Sequence, residues 1–173
     1  MKKQGFTLIE LMVVIVIMGI LAAVAVPKLF GMIAKSKASE VPTAAGSYIN
    51  MQDAFALERN ILGSWTEIGY SAPGKKDHAS SYRSDNFTYT GTAVTQSNSG
   101  FNASGDPTAA TIADAWKASN KVKLDDCAID GFWSITITNG TGANQGNVGY
   151  SVKTSSAECE GLAPAIVKLA RTL

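Results

Sequence analysis

The chain has 173 residues, of which 46% are apolar, and its 15 basic and 14 acidic side chains leave a net charge of +1. This size suits one domain of roughly 100–150 residues with an appendage. A nearly neutral chain gives no reason to propose a nucleic acid as partner, because phosphate binding depends on clustered Lys and Arg.

The N-terminal segment has the composition of a membrane span. Only Glu10 carries a charge between Phe6 and Val26, and the stretch is long enough to cross a hydrocarbon core of roughly 30 Å at about 1.5 Å per residue. A cleavable secretory signal fits the same hydropathy, with Lys2 and Lys3 as its charged start and small residues at 23–25 as its cleavage site. A signal peptide has no use for Glu10, so the pattern favours the anchor and leaves the signal open.

The letters KKQGFTLIEL, which begin at Lys2, resemble the processing signature of type IV pilins and their relatives. In that family a short basic leader is cut after a glycine, and the new N-terminal residue, usually Phe, is N-methylated. The resemblance extends to Leu29. It implies that residues 1–5 are a leader, that a prepilin peptidase cuts between Gly5 and Phe6, and that Phe6 becomes the methylated terminus. Glycine suits this position because it has no side chain to hinder a protease.

The same resemblance gives Glu10 a role. It implies that the carboxylate of Glu10 meets the Phe6 amine of a neighbouring subunit as the helices pack into a filament. A lone carboxylate in hydrocarbon costs several kcal/mol, and a buried amine partner largely offsets that cost. The pair would act as a docking and register device. The alternative is an interfacial Glu10 that snorkels to the lipid headgroups.

One long helix is predicted from Phe6 to Arg59, about 80 Å long if it is straight at about 1.5 Å per residue. Residues 6–27 would form the transmembrane and filament-core half, and residues 28–60 the amphipathic half. Apolar residues recur there at helical spacing and predict a stripe that packs on a globular head. That stripe comprises Val41, Ala44, Tyr48, Met51 and Phe55.

Prolines interrupt this helix. Proline removes an amide donor and clashes with the preceding turn, so gentle kinks are expected at Pro27 and Pro42. The family resemblance implies in addition that, in the assembled filament, the helix loses its regular hydrogen bonds between Gly19 and Pro27. Kinks that the membrane helix simply tolerates are the alternative.

Residues 61–173 have the composition of a loop-rich globular head. Trp65–Asp85 contains Pro73 followed by glycine, and lysines beside His78, which predicts a surface connection. Period-two alternation of apolar residues predicts strands further on, while Thr111–Leu124 fits helix and strand equally. The predicted strands are Asn86–Thr95, Gly131–Thr138 and Asn147–Thr154, the last two joined as a hairpin through Asn139–Gly146.

These elements predict an α+β fold. An antiparallel sheet packed on the stripe of the long helix would bury the apolar faces of both. This arrangement agrees with the ladle-shaped pilin fold that the resemblance implies.

The chain has two cysteines, Cys127 and Cys159. If the head lies outside the cytoplasm, as the anchor and the family imply, a disulfide between them is the natural interpretation. It resembles the disulfide-bounded C-terminal region of type IV pilins, which lies on the filament surface. Two buried free thiols are the alternative.

No catalytic set is recognisable, and no metal site or cofactor is predicted. His78 is the one histidine, so triads and histidine metal sites lack parts. Core packing is expected for Trp133. Acidic residues crowd around the cysteines, where they would form a solvated rim or, less favourably, a calcium site. They are Asp125, Asp126, Asp130, Glu158 and Glu160.

The leading hypothesis is a structural protein, a type IV pilin that polymerises through its N-terminal helix as a helical homopolymer. The resemblance implies a prepilin peptidase, an assembly platform with its ATPase, and a secretin as partners. It also implies an inner-membrane precursor with a cytoplasmic N-terminus and a periplasmic head, and then an extracellular pilus that serves adhesion, twitching motility or DNA uptake. A type II secretion pseudopilin is the alternative, although the cysteine pair and the lack of a convincing calcium motif favour the pilin. A membrane-anchored enzyme would need a catalytic constellation.

Overall fold

The computed structural model describes residues 5–95, 100 and 108–173. Residues 1–4, most of the predicted leader, lie outside the described residues. A long helical arm leads into a head in which a sheet packs against the second half of the arm. Helices α1, α2 and α3 span Leu8–Ala38, Glu40–Arg59 and Ala157–Leu162, and strands β1 to β6 span Lys75–His78, Ser81–Arg83, Phe87–Thr90, Thr111–Asn120, Phe132–Asn139 and Val148–Thr154.

The predicted long helix is present as α1 and α2, which meet at Ser39. The backbone of Ser39 stays in the right-handed helical region, with φ −63° and ψ −17°, so the interruption is slight. Pro42 explains why the interruption occurs at Ser39. A proline at position 42 has no N–H to donate to the carbonyl of Ala38, four residues earlier. Pro27 lies inside α1, which is continuous around it.

The sheet is antiparallel throughout, with the described strands in sequence order from β1 to β6. The predicted hairpin is confirmed: β5 pairs with β6 from Trp133 opposite Thr154 to Asn139 opposite Val148. A 3-10 turn at Gly142–Asn144 lies between them. The ambiguous segment is the strand β4, and β3 is shorter than the predicted strand Asn86–Thr95.

The prediction of a surface connection over Trp65–Asp85 was wrong. The segment contains β1 and β2, and it buries three aromatic rings. The indole N–H of Trp65 donates to the backbone carbonyl of Ala115 at 2.9 Å. The hydroxyl of Tyr70 donates to the backbone carbonyl of Ala44 at 3.1 Å. Aromatic burial with satisfied polar tips outweighs the Gly and Pro signals in between. The buried rings are those of Trp65, Tyr70 and Tyr82.

The buried stripe of α2 differs from the predicted one. Met51 is 39% exposed and Phe55 is half-buried, whereas Gln52 and Ala56 are buried. The predicted stripe follows a repeat of 3.5 residues, which drifts off the face that a helix with 3.6 residues per turn presents. Gln52 is tolerated in the core because its side-chain amide, in the orientation that satisfies both groups, pairs with the backbone N–H and C=O of Gly63 at 2.9 and 3.0 Å.

Trp133 is buried, as predicted, and so are the other two tryptophans. The indole N–H of Trp133 donates to the carbonyl of Cys159 at 3.0 Å, and that of Trp116 donates to the hydroxyl of Tyr70 at 2.8 Å. All three therefore belong to the hydrophobic core of the head.

Candidate functional site

The predicted cleavage site lies just before the first helix. Gly5 has no heavy atom within 4 Å of the position that a Cβ would occupy, and Phe6 is 87% exposed. Thr7 has extended backbone angles and caps α1, which begins at Leu8. The bond between Gly5 and Phe6 is therefore outside the helix and uncovered by other described residues.

Thr7 and Glu10 form a capping box at the start of α1. The backbone N–H and the hydroxyl of Thr7 donate to Oε2 of Glu10 at 2.9 and 2.7 Å, and the N–H of Glu10 donates back to the Thr7 hydroxyl at 3.3 Å. Among the described residues, Oε1 of Glu10 accepts no hydrogen bond. Sequence reasoning missed this pair, although Thr-x-x-Glu before an apolar run is the signal for it.

A shallow recess of about 380 Å³ opens beside the carboxylate of Glu10. Apart from Glu10, its walls are side chains of Phe6, Ile9, Val13 and Val14. The site thus combines one carboxylate with an otherwise apolar surface, which suits a partner that has a cation at the end of an apolar segment.

The apolar surface continues along α1. Every side chain from Leu8 to Phe30 is exposed, and the mean hydropathy of the most apolar stretch is 2.9. By length and composition, the continuous helix Leu8–Arg59 is the one membrane-span candidate within the described part of the chain. Leaving this much apolar surface in water is unfavourable, so lipid or other protein must cover it.

Gly19 and Pro27 lie on this exposed part of α1. The helix between them is regular in the single chain. A side chain added at Gly19 would meet no heavy atom within 4 Å, so packing within the chain gives no reason for a glycine there. The predicted loss of hydrogen bonds concerns the assembled filament and stays a prediction.

In the head, Cys127 and Cys159 form a disulfide, and their Cα atoms are 4.7 Å apart. The disulfide is buried, and Gly131 packs against both sulfur atoms so closely that a side chain there would clash. Helix α3, which contains Cys159, contacts α1, and the Asp125 loop lies 3.3 Å from the Cβ position of Gly31. The disulfide-bounded segment therefore braces the head against the helical arm.

The acidic residues around the disulfide are all exposed to solvent. Hydrogen bonds from its own backbone N–H and from the Ser156 hydroxyl lower the pKa of Glu158. Within the described ranges, no three His, Cys, Asp or Glu side chains lie close enough together to hold a metal ion. The five residues are Asp125, Asp126, Asp130, Glu158 and Glu160.

Two polar contacts that sequence reasoning missed join α2 to the sheet. The hydroxyl of Tyr89 donates to Oε1 of Glu40 at 2.6 Å. Asp53 Oδ1 accepts hydrogen bonds from the Tyr150 hydroxyl and from the Arg171 guanidinium, both at 2.7 Å. Burial, and then the neighbouring carboxylate, raise the pKa of Tyr150, so its hydroxyl keeps the proton that it donates.

Comparison with known proteins finds matches to the N-terminal features. A family model described as the prokaryotic N-terminal methylation motif matches residues 1–26. The type IV major pilin protein PilA of Myxococcus xanthus (strain DK1622) is 41% identical over 71 residues, which are 40% of this chain and 32% of the pilin. The type II secretion system core protein G of Klebsiella pneumoniae is 36% identical over 85 residues, or 47% of this chain and 60% of that protein.

A type IV major fimbrial protein FimA of Dichelobacter nodosus is 52% identical over 61 residues, or 35% of this chain and 39% of the relative. The matched segments thus span from 32% to 60% of these three relatives. No solved structure shows a significant match. The methylation motif and the segment behind it are thus the part of the chain that is similar to type IV pilins and to type II secretion core proteins G.

Proposed function

We propose that this chain is the structural subunit of a type IV pilus, polymerising through its N-terminal helix after leader cleavage and N-methylation. The observation that carries the proposal is the N-terminal site: a methylation motif over residues 1–26, a carboxylate fixed at the start of α1, and an apolar helix that no described residue of the head covers. The head would face outward and serve adhesion, motility or uptake.

Processing is the first step of the proposed function. A prepilin peptidase hydrolyses the amide bond between Gly5 and Phe6, and the amine freed on Phe6 is then methylated and keeps its positive charge. The exposed, non-helical backbone at this bond supports the step, because a protease needs an extended and accessible peptide. Cleavage also leaves the new amine next to the Thr7–Glu10 capping box.

Docking is the second step. The Phe6 amine of one subunit approaches the Glu10 carboxylate of its neighbour, and the capping box supports this role because both Thr7 donors use Oε2. Oε1 remains available to a cation from outside. A subunit in the wrong register would leave an amine and a carboxylate unpaired in an apolar environment, which costs several kcal/mol.

The remaining steps concern location and partners. Before assembly α1 anchors the subunit in the inner membrane, with the N-terminus cytoplasmic and the head periplasmic. An assembly platform driven by an ATPase moves it into the growing homopolymer, and a secretin lets the filament out to the cell surface. The length and exposure of the apolar half of α1 support the anchoring step.

A pseudopilin of type II secretion is the second candidate. The match to core protein G of Klebsiella pneumoniae covers 60% of that protein, a larger share than the 32% covered of the Myxococcus pilin. Both candidate functions require the same cleavage, methylation and docking at the N-terminus, and they differ in the cellular location of the filament. In the pseudopilin case it stays in the periplasm and assists protein export.

The experiment that tests the proposal is intact-mass measurement and N-terminal sequencing of this protein from sheared cell-surface material. The proposal predicts a chain that starts at N-methylated Phe6 in that fraction. Processed chain that is confined to the membrane fraction would favour the pseudopilus. A chain that starts near Val26 would contradict both, because it would mark cleavage by a signal peptidase.

A further inference from the structure

A groove of about 320 Å³ lies beside the junction of α1 and α2. Glu40, which is half-buried, lines the groove, as do Tyr70 and Ser71 of the head. The hydroxyl of Tyr89 donates to Oε1 of Glu40 at 2.6 Å, whereas Oε2 of Glu40 accepts no hydrogen bond from a described residue. The groove therefore contains a carboxylate with one oxygen that has no partner within the described chain.

The helix hydroxyls that line this groove offer acceptors to it. Ser39, Thr43 and Ser47 belong to its wall. Each donates to a backbone carbonyl of its own helix, that of residue 36, 39 or 43, at 2.7, 3.2 and 3.2 Å. Because the hydroxyl protons are used within the helix, the lone pairs of these oxygens remain for a ligand. A carboxylate beside such hydroxyls suits a cation that has only donors, as a lysine ammonium does.

Two lysines just before the groove have no partner in the single chain. Lys35 and Lys37 lie in the last turn of α1 and are exposed, and neither forms an ion pair or a hydrogen bond with a described residue. Lys37 precedes Glu40 by three residues, but the bond from Tyr89 turns the Glu40 carboxylate toward the sheet. The positive and negative charges at this junction therefore both stay unpaired.

The proposed docking brings these charges together between subunits. Pairing the Phe6 amine of one subunit with Glu10 of its neighbour shifts two parallel helices by four residues along their axes. Every subunit of a homopolymer has the same structure, so the same shift applies at the other end of the apolar helix. Lys35 and Lys37 of one subunit then lie level with residues 39 and 41 of the next, on either side of its Glu40.

We propose that the groove at Glu40 receives the Lys35 and Lys37 end of α1 from a second copy of this chain. A lysine ammonium would pair with Oε2 of Glu40 and donate to the groove hydroxyls. A metal ion fits less well, because no group of three His, Cys, Asp or Glu side chains that could hold one occurs within the described ranges. The inference rests on the proposed function, and it adds a second charged contact that fixes the register of neighbouring subunits.

The test is complementation between two charge-reversed full-length chains in cells that make the filament. One chain carries Glu40→Lys, and the other carries Lys35→Glu together with Lys37→Glu. Each chain alone places like charges at every contact, so sheared filament relative to total subunit should fall at least about fivefold. Co-expression of the two chains should restore most of the filament, because alternating them pairs opposite charges at every contact.

Recovery in the mixture would assign the contact to neighbouring subunits, since mixing cannot restore a pair within one chain or a chain that does not fold. The proposal would be overturned by undiminished filament from both variants alone, or by a mixture that does not recover although near-ultraviolet circular dichroism shows both heads folded. A loss confined to the lysine variant would also overturn it and would assign Lys35 and Lys37 to lipid headgroups.

A milder variant covers the case in which Glu40→Lys does not fold. Glu40→Gln keeps an oxygen for the Tyr89 hydroxyl and removes the charge, so it should lower the filament yield. Glu58→Gln, at an exposed position near the end of α2, should leave the yield unchanged, and equal yields from these two variants would overturn the proposal. An unaltered chain that forms no filament would instead contradict the proposed function itself.

Discussion

Glu10 has one role in the single chain and a second, proposed role in the filament. Its Oε2 atom caps the start of α1 by accepting both donors of Thr7, and its Oε1 atom accepts no hydrogen bond from a described residue. The head repeats the local half of this arrangement at Ser64 and Glu67, where the Ser64 N–H and hydroxyl donate to Oε2 of Glu67 at 2.7 and 2.6 Å. The two boxes differ in their surroundings, since the first stands on an apolar helix and the second on the surface of the head.

This repetition supplies a matched pair of variants. Glu10→Gln keeps an oxygen for the capping box and removes the charge, so the neighbour's Phe6 amine loses its counter-ion in an apolar environment, at a cost of several kcal/mol. We expect at least about a tenfold drop in sheared filament relative to total subunit. Glu67→Gln makes the same change in the head and should leave the filament yield unchanged. Equal yields from both variants would contradict the docking role.

The carboxylate of Glu67 also predicts a pH dependence. Hydrogen bonds from Ser64 lower the pKa of Glu67 below its ordinary value. A group whose pKa is lower in the folded state stabilises that state above its unfolded pKa, about 4.3, and loses this contribution as the pH falls through the folded value. Urea unfolding at pH 7 and pH 3 should therefore show a smaller loss of stability on acidification for Glu67→Gln than for the unaltered chain. An identical loss would show that the bond has no net effect.

At the scale of elements, the strands with clear alternation of apolar residues were predictable from the sequence. The segments whose structure depends on tertiary contacts were not. The strands β5 and β6 follow strict alternation, so they and their hairpin were predictable. Thr111–Asn120, most of the ambiguous segment, forms the strand β4 because β3 and β5 flank it on both sides, which no local pattern reveals. Residues 65–85 look like a loop, and only the pairing of their aromatic rings with α2 and the sheet makes them part of the core.

Among the contacts between elements, the disulfide has the largest predicted effect on the free energy of unfolding. The bond closes a loop across a sequence separation of 32. Replacing Cys127 and Cys159 by Ala should lower the free energy of unfolding by roughly 3–4 kcal/mol in the chain-entropy model. Urea unfolding with and without dithiothreitol tests this, because the reductant should destabilise the unaltered chain and not the variant. Stability that survives reduction would contradict the bracing role.

The contact between α2 and β6 gives a second element-scale prediction. Tyr150→Phe keeps the ring and removes the hydroxyl that donates to Asp53, so the head should lose about 1–2 kcal/mol. The matched control is Tyr82→Phe, because the Tyr82 hydroxyl makes only a long 3.4 Å contact with Ser71 and should matter less. Chemical unfolding of the three chains side by side measures both. A larger loss for the control would contradict the assignment.

At the scale of the whole molecule, the chain has an apolar helical arm and a folded head. The apolar half of α1 touches nothing in the described chain, while α2 and the sheet bury each other. The predicted cleavage site, Phe6 and Glu10 all stand in one linear motif, which is why the sequence alone suggests roles for them, and those roles stay predictions. Sequence reasoning overlooked the Thr-x-x-Glu signal of the capping box. It could not find the bonds of Asp53, because these depend on which side chains the fold brings together.

The predicted loss of helix hydrogen bonds between Gly19 and Pro27 concerns the apolar half of α1. Proline has no N–H for the carbonyl of Ala23, so this stretch is where we expect the helix to lose its regular bonds in the filament. Pro27→Ala restores the donor and should make filaments less extensible under tension, as measured with an optical trap. A filament of unchanged extensibility would contradict the melting hypothesis and leave Pro27 as a tolerated kink.

The most direct test of the docking hypothesis is a distance measured between subunits. Filaments would be assembled from an equal mixture of subunits, half with ¹³C-labelled Glu and half with ¹⁵N-labelled Phe, and studied by solid-state NMR. Because the labels are on different chains, only contact between neighbours gives a ¹³C–¹⁵N dipolar signal. The docking hypothesis predicts a signal between the Glu10 carboxyl and the Phe6 amine at about 4 Å, the distance limit of an ion pair. Its absence in well-ordered filaments would contradict the pairing.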